Sequence, residues 1–263
     1  MLEEYGTTAS GWDSIGYASI GHFLRTLASS DRRRRIIEDD GLLATVTPQT
    51  PERSLFNSVV YEHPAALLDN YAELEDAYES AGVEAWVVWA PASDKHSIAF
   101  LSERGHDLDG EPRMMSLDLD DVPSNGLDPE VSRNFDWRTL CEINDAAYGY
   151  DRPTFLRGMG EGCAGEFGRY GLDWRGFPAS GIGTLEHARD CGVYLVATLP
   201  EARRQGLAAR VLVSALLEAR ERGCLTSTLQ ASAAGAGLYA RLGYRDLGAV
   251  QYRERRRNSS RRG

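Results

Sequence analysis

An order of helix, glycine and strand signals that occurs twice along the chain constrains the fold more than any other feature. In the first copy, apolar residues at helical spacing over 65–80 are followed by Gly82 and by a strand pattern over 85–90. A second helical stretch over 96–104 ends at Gly105 and leads into extended segments. Helices placed between strands in this way predict an α/β fold with a mixed sheet.

The second copy follows the same order, and Gly223 separates its first helix from its first strand. Aligning Gly105 with Gly243 superposes FLSERGHDL on LYARLGYRDL, which favours a duplicated fold. The alternative is that such an order is simply common in α/β proteins. The predicted elements of this copy are a helix over 207–222, a strand over 225–230, a short helix over 238–242 and an extended segment over 244–252.

Between the two copies, the pattern predicts a helix over 137–148 and strands over 167–174, 179–186 and 193–198. Residues 1–60 show no clear pattern. Within them, the basic run 32–35 and the acidic run 38–40 are expected to form a solvated helical or loop face and not a binding patch.

Composition indicates a folded chain with two domains. With 263 residues, of which 42% are hydrophobic, the chain has enough apolar material for a sizeable core. Proline and glycine among polar residues mark a break over 121–136. The predicted division is a first half over 1–120, a linker over 121–136, a second domain over 137–252 and a basic, disordered tail over 253–263.

Several classes of protein are not expected. The sequence has no apolar run of about 20 residues and no signal-peptide pattern, so we expect a cytoplasmic protein without a membrane partner. The four cysteines are far apart and form no metal-ligand spacing, so we expect reduced thiols and no metal.

Charge is divided unevenly along the chain. The net charge is −10, but residues 1–120 hold 22 acidic against 9 basic residues, and the remaining residues hold 17 against 20. A phosphate-bearing ligand is therefore expected in the second half.

The stretch VATLPEARRQGLAARV has the features of an anion site. A buried strand ends at Thr198, Pro200 interrupts it, and a long helix opens after Gly206. The first N–H groups of a helix have no partner within the helix, and the helix dipole makes that end electropositive. The Walker pattern and GxGxxG are both absent here.

The pattern that remains, [RQ]xxGx[GA] between a strand and a helix, resembles the pyrophosphate loop of the GNAT superfamily of acetyl-CoA-dependent N-acetyltransferases. LYARLGYRDL resembles the second signature of that family, and the resemblance covers residues 137–252. It implies a GNAT fold and, with the duplication, two GNAT-like halves in tandem. The first half is expected to be degenerate, because it lacks the loop pattern and has Leu101 where the second half has Tyr239.

The resemblance also implies roles for individual residues. Tyr239 matches the general acid that protonates the departing thiolate, although a core aromatic is the alternative. Glu186 is the first candidate for the base and His187 a poorer one, with an exposed strand residue as the alternative for Glu186. The residues expected to bind acetyl-CoA are Val196, Ala197 and Thr198 at the pantetheine and Arg203, Arg204, Gln205, Gly206, Leu207 and Ala208 at the pyrophosphate.

The sequence therefore predicts an N-acetyltransferase that acts on a small-molecule amine or a protein amino group. The acidic first half would suit a cationic amine. One alternative is a non-catalytic acyl-CoA-binding or regulatory protein. Another is a nucleic-acid or ribosome contact through the six arginines of 253–263, for which a solvated end is the more common explanation. Whether the chain forms a homo-oligomer stays open.

Overall fold

The computed structural model describes residues 11–123, 126–151 and 153–257, which form two compact units. Unit 1 comprises the described residues up to 113 together with 247–257, and unit 2 comprises those from 114 to 246. These boundaries differ from the sequence-based ones, because 114–120 lie in unit 2 and 247–252 in unit 1.

The elements of the chain alternate between helices and strands. Up to residue 110 they are α1 (Ser14–Ser29), β1 (Arg35–Asp39), β2 (Leu42–Val46), β3 (Ser58–Tyr61), α2 (Pro64–Ser80), β4 (Ala85–Pro91), α3 (Lys95–Glu103) and β5 (Asp107–Gly110). They continue as β6 (Arg113–Asp118), α4 (Trp137–Tyr148), α5 (Thr154–Met159), β7 (Gly168–Trp174), β8 (Phe177–His187), β9 (Asp190–Thr198), α6 (Leu207–Glu221), β10 (Thr226–Ala231), α7 (Ala236–Arg241) and β11 (Arg245–Arg256).

The strands of unit 1 lie in the order β1, β2, β3, β4, β11, and β5 pairs with the outer side of β11. Strands β3 and β4 are parallel, and the other pairs are antiparallel. Helix α2 connects the parallel pair and covers the core, where the Tyr78 ring stacks on Trp86 at 4.7 Å. A parallel pair needs a crossover of this kind, because a hairpin joins only antiparallel strands.

The strands of unit 2 lie in the order β7, β8, β9, β10, β6. Strands β9 and β10 are parallel, and α6 connects them in the way that α2 connects β3 and β4. The apolar face of α6, with Val211, Ala215 and Leu216, is fully or almost fully buried in the core.

Each unit therefore contains a strand that follows the elements of the other unit in the chain. Strand β6 comes after the elements of unit 1 but neighbours β10, and β11 comes after those of unit 2 but pairs with β4. The pairing of β11 with β4 runs from Val250 to Arg256 of β11.

The expected mixed α/β class is confirmed, and every helix and strand expected from residue 65 onward is present within a few residues of its predicted ends. Two expectations are wrong. Arg35–Asp39 is a strand with exposed side chains and not a helix or loop. Arg253–Arg256 belong to β11 and not to a tail, while residues 258–263 lie outside the described residues.

Nowhere in the described chain is there a helix both long and apolar enough to cross a bilayer. The same residues hold no group of three or more His, Cys, Asp or Glu side chains arranged for a metal ion.

Candidate active site

The parallel strands of unit 2 separate partway along their length. The pairing of β9 with β10 runs only from Asp190 to Gly192, opposite Thr226 to Thr228. Beyond Gly192 the ladder between β9 and β10 does not continue among the described residues, although β9 runs on to Thr198. A ligand that enters the gap between the two strands, called the cleft below, can pair with the backbone of β9 as an added strand does.

Buried polar contacts hold the closed end of this cleft together. The two carboxylate oxygens of Asp190, which is 3% exposed, accept hydrogen bonds from the hydroxyls of Thr226 at 2.8 Å and Thr228 at 2.6 Å. The Ser227 hydroxyl donates to the carbonyl of Cys191 at 2.7 Å. A buried carboxylate needs such partners, so these contacts fix the point at which the strands diverge.

A β-bulge interrupts β9 in its open half. Gly183 pairs with Tyr194 and Gly181 with Ala197, so that Leu195 and Val196 together lie opposite the single residue between the two glycines on β8. Leu195 has a left-handed φ of 53°. A bulge redirects the backbone groups of the extra residue out of the ladder.

The strand ends at Thr198 in a polar corner. The Thr198 hydroxyl lies 2.9 Å from the hydroxyl of Ser180, which is fully buried on the neighbouring strand. Ala197 is buried, while Val196 and Thr198 are half-buried. All three residues therefore lie in the open half of β9, where the sequence predicts the pantetheine contacts.

The loop between β9 and α6 presents backbone donors. Arg204 and Gly206 adopt left-handed φ values of 65° and 78°, and no side chain caps the helix. In the described chain, the N–H groups of residues 205–209 donate to no protein acceptor. Free donors at the electropositive end of a helix suit a diphosphate.

The side chains of this loop divide into two groups. The guanidinium of Arg203 donates to the carbonyls of Thr198 at 3.3 Å and Ala147 at 2.8 Å, so Arg203 ties the loop to the end of α4. Arg204 and Gln205 are exposed. Leu207 is buried in the core and Ala208 is half-buried, so these two residues offer backbone groups only.

Tyr239 lies on α7 with 7% of its surface exposed. Its ring packs edge-on against Tyr244 at 5.8 Å, and Tyr244 shares a 2.7 Å hydrogen bond with Ser227 of β10. Burial, with a further contribution from Tyr148, raises the pKa of the Tyr239 phenol above its usual value. Its hydroxyl has no hydrogen-bond partner among the described residues.

Three aromatic rings cluster where α4 leads into α5. Tyr148 stacks on Tyr150 at 6.2 Å, and Tyr150 stacks on Phe155 at 5.7 Å. Tyr148 is 54% exposed and close enough to Tyr239 to influence its pKa. The sequence gives no signal for this cluster, because Tyr148 ends α4, Tyr150 lies in the loop that follows and Phe155 lies on the short helix α5, so that no common period links the three rings.

Glu186 does not join these groups. Its carboxylate is paired with the Arg222 guanidinium at 2.6 Å, and Glu186 lies opposite Cys191 near the start of β9. Six residues of strand separate that point from Ala197, about 20 Å at the usual rise per residue. His187 lies still closer to the hairpin end, opposite Asp190. The structure therefore separates both candidate bases from the open half of β9.

The start of α2 in unit 1, which corresponds to the start of α6 in unit 2, is filled by contacts within the chain. Helix α2 begins with Pro64, which has no N–H, and the ring nitrogen of His63 accepts from Ala66 N at 3.1 Å. Before it, the Tyr61 hydroxyl at the end of β3 donates to Asp94 at 2.9 Å. The features that make α6 suitable for a diphosphate are thus replaced by internal contacts at α2.

Comparison with known proteins finds one family model that matches part of the chain. Residues 176–246 match the model described as "Acetyltransferase (GNAT) domain". No curated protein matches the chain.

Solved structures match over most of the chain. A GCN5-related N-acetyltransferase from Kribbella flavida has a TM-score of 0.63 at 17% identity, with 90% of this chain and 93% of that chain covered. One from Sphaerobacter thermophilus has a TM-score of 0.56 at 17% identity, with 82% and 80% covered. A tandem GNAT protein from the clavulanic acid biosynthesis pathway has a TM-score of 0.53 at 12% identity, with 91% and 95% covered. At these identities the matches establish the expected GNAT fold.

Proposed function

Because the chain contains a GNAT acetyltransferase domain at residues 176–246, we propose that the protein transfers an acetyl group from acetyl-CoA to an amine. The observation that carries the proposal is the end of the β9–β10 ladder at Gly192, beyond which β9 leads into a loop of free backbone donors before α6. A long ligand with a diphosphate at one end and amide groups in its middle is complementary to this arrangement.

The residues of unit 2 fit acetyl-CoA in two places. The N–H groups of residues 205–209 would hold the diphosphate, and the exposed Arg204 would add positive charge. The backbone of Val196, Ala197 and Thr198 would pair with the amides of the pantetheine.

Acetyl-CoA would supply a thioester, whose carbonyl carbon would form a bond to the nitrogen of a neutral amine as its bond to sulfur breaks. The proton that the nitrogen then loses would pass to water, since neither Glu186 nor His187 reaches the open half of β9. Tyr239 would donate its phenolic proton to the sulfur, because a tyrosine hydroxyl is protonated at neutral pH and this one donates to no other group among the described residues. A backbone N–H in the bulged part of β9 would stabilise the charge that develops on the carbonyl oxygen.

The acceptor is proposed to be a small-molecule amine or a protein amino group. Tyr148 is exposed and contributes to the raised pKa of Tyr239, which supports an acceptor with an apolar body or a cationic group, since both bind to an aromatic face. Tyr148 would then contact the acceptor on the side of the cleft formed by α4.

Gly206→Glu tests the cofactor site, because a carboxylate at this point faces the proposed diphosphate. Position 206 has a left-handed φ and an added Cβ would meet no atom within 4 Å, so a side chain fits there with backbone strain alone. Gly206→Gln is the matched control with the same shape and strain but no charge. We expect calorimetry to show acetyl-CoA affinity at least about tenfold lower in the Glu variant than in the Gln variant.

Equal affinity of the two variants for acetyl-CoA would contradict the proposed diphosphate site. Release of free thiol from acetyl-CoA across a panel of amines, with mass spectrometry of the acceptors, then tests the reaction itself. Tight binding of acetyl-CoA without thiol release from any amine would instead favour a non-catalytic acyl-CoA-binding protein.

A further inference from the structure

A buried asparagine on α4 contacts the bulge of β9. The side-chain nitrogen of Asn144, a residue with no solvent exposure, donates to the carbonyl of Leu140 at 2.9 Å and to the carbonyl of Leu195 at 3.1 Å. The second bond crosses from α4 to the one residue of β9 whose φ is left-handed, a conformation uncommon for leucine.

The orientation of this side chain is determined by its neighbours. Both neighbouring groups are carbonyl oxygens, which only accept, so the NH2 of Asn144 must face them. Its oxygen is then left buried and has no hydrogen-bond partner among the described residues. A buried polar atom without a partner costs stability, so a side chain chosen for stability alone would be apolar at this position.

The contact with Leu195 sets the direction of the next N–H group. A trans peptide is planar, and its C=O and N–H point in opposite directions. Because the Leu195 carbonyl points toward α4, the N–H of Val196 points away from α4. Val196 belongs to the part of β9 that has no partner in β10.

We propose that Asn144 is a positioning residue that holds the Leu195–Val196 peptide so that the Val196 N–H serves as hydrogen-bond donor to the acetyl carbonyl oxygen. This inference rests on the proposed function. Asn144 itself is fully buried and acts through the backbone of β9.

Asp145, which follows Asn144 on α4, holds the aromatic cluster in a similar way. The carboxylate of Asp145, also fully buried, accepts from Phe155 N at 2.9 Å, and its carbonyl accepts from Tyr150 N at 2.8 Å. Two adjacent buried side chains of α4 thus hold the bulge of β9 and the aromatic cluster. One helix therefore fixes the separation between the thioester site and the proposed acceptor site.

Asn144→Leu is the variant that tests the inference, because it keeps the shape of the side chain and removes the donor. Cys141→Ala is the control, since Cys141 lies on the same helix, is equally buried and makes no hydrogen bond to β9. We expect Asn144→Leu to lower kcat by about 10-fold to 100-fold, less than the about 100-fold to 1000-fold caused by removing an oxyanion donor itself, with the KM of the amine unchanged.

Binding measurements separate positioning from a general structural role. CoA has no acetyl oxygen, so Asn144→Leu should weaken acetyl-CoA binding more than CoA binding in calorimetry, while Cys141→Ala changes neither. Asn144→Gln retains a donor amide and should recover part of the lost kcat. An equal loss for acetyl-CoA and CoA, or an unchanged kcat, would overturn the inference.

A crystal structure of Asn144→Leu tests the inference independently of the reaction. We expect the φ of Leu195 to leave the left-handed region, and an unchanged Leu195–Val196 peptide would refute the role of Asn144. If the wild-type protein neither binds acetyl-CoA nor releases thiol, the proposed function fails, and this structural result still decides whether Asn144 sets the peptide. Failure of Asn144→Leu to fold would direct the same comparison to Asn144→Gln, whose Leu195 must then stay left-handed.

Discussion

At the scale of single residues, the Tyr239 hydroxyl is the group whose removal is most informative. Tyr239→Phe deletes one oxygen that has no hydrogen-bond partner among the described residues, so the fold should persist. We expect kcat to fall by about 100-fold or more, in the range for loss of a general acid, with the KM for acetyl-CoA unchanged. Steady-state kinetics of the two proteins measures this.

Tyr170→Phe is the control for that experiment, because the Tyr170 hydroxyl binds Glu218 and Arg222 in the ion-pair network that also holds Glu186. It should leave kcat unaffected. An ordinary phenol loses its proton near pH ~10. Because the pKa of Tyr239 is raised, we expect no fall in kcat from loss of this proton as the pH approaches about 10. A Tyr239→Phe enzyme as fast as wild type would exclude the phenol as the acid.

A second residue, His106, makes the stability of unit 1 depend on pH. His106 is buried, its ring N–H donates to the carbonyl of Arg253, and its other nitrogen accepts from the Tyr71 hydroxyl at 3.0 Å. Burial lowers the pKa of His106 to about 4. The unfolded chain binds this proton near pH 6.5 and the folded chain only near pH 4, so stability decreases as the pH falls through this window, by up to about 3 kcal/mol.

Urea unfolding at pH 7 and at pH 4.5 measures this effect. His106→Asn should remove most of the pH dependence, whereas His96→Asn, at an exposed site on α3, should retain it. An identical pH dependence in wild type and His106→Asn would show that other groups are responsible.

The sequence predicts some of the candidate site residues better than others. The loop over 203–208 follows from its pattern, because phosphate binding there depends on backbone groups and on glycine. Asn144 carries no such signal, since its role depends on a contact with Leu195, 51 positions away. Glu186 is a candidate base because it lies on a strand of the sheet. Whether its side chain reaches the cleft depends on its position along that strand, and the sequence alone does not give the register of the strand.

At the scale of elements, β11 makes the clearest prediction. It pairs with β4 and β5, and its Arg255 binds Glu75 of α2 at 2.5 Å. Deleting residues 247–263 should therefore unfold unit 1, because β4 loses a neighbour and its apolar side chains lose cover. Deleting only 258–263 is the control and should leave the thermal unfolding temperature unchanged.

Circular dichroism and thermal unfolding of the two truncated proteins measure the difference. A protein without 247–263 that unfolds at the wild-type temperature would contradict the assignment of this segment to unit 1. The ion pairs of Arg255, Arg256 and Arg257 with Glu75, Glu254 and Glu79 also leave less basic charge for a nucleic acid than the sequence suggests.

The sequence predicts a helix or strand well where its apolar residues recur on the one face that is buried in the core. Helix α4 was predicted at its observed ends, since its apolar residues are in phase and Asp136 caps it. Helix α1 was not predicted, because buried Gly16, Ser19, Gly21 and Thr26 replace apolar residues on its inner face. Strand β1 gives no clear signal because it lies at the end of the strand order and three of its five side chains, those of Arg35, Glu38 and Asp39, are charged and exposed, as is usual for an edge strand.

At the scale of the whole molecule, the two units share one strand order around a parallel pair crossed by a helix. The glycine alignment of FLSERGHDL with LYARLGYRDL anticipates this order. The alignment does not predict that β6 belongs to unit 2 and β11 to unit 1. A local sequence pattern indicates that a segment is extended, but it does not indicate which strand that segment pairs with.

This distribution of strands has a consequence for synthesis of the chain. Residues up to 113, which form most of unit 1, leave the ribosome before unit 2, yet the sheet of unit 1 lacks β11 until residues 247–256 have been translated. The apolar neighbours of β11 on β4 stay without their partner for the time needed to make all of unit 2, at about 5–20 residues per second. The part that is made first is therefore completed last, and in the interval its uncovered strand edge is a site where chaperones or aggregation would act.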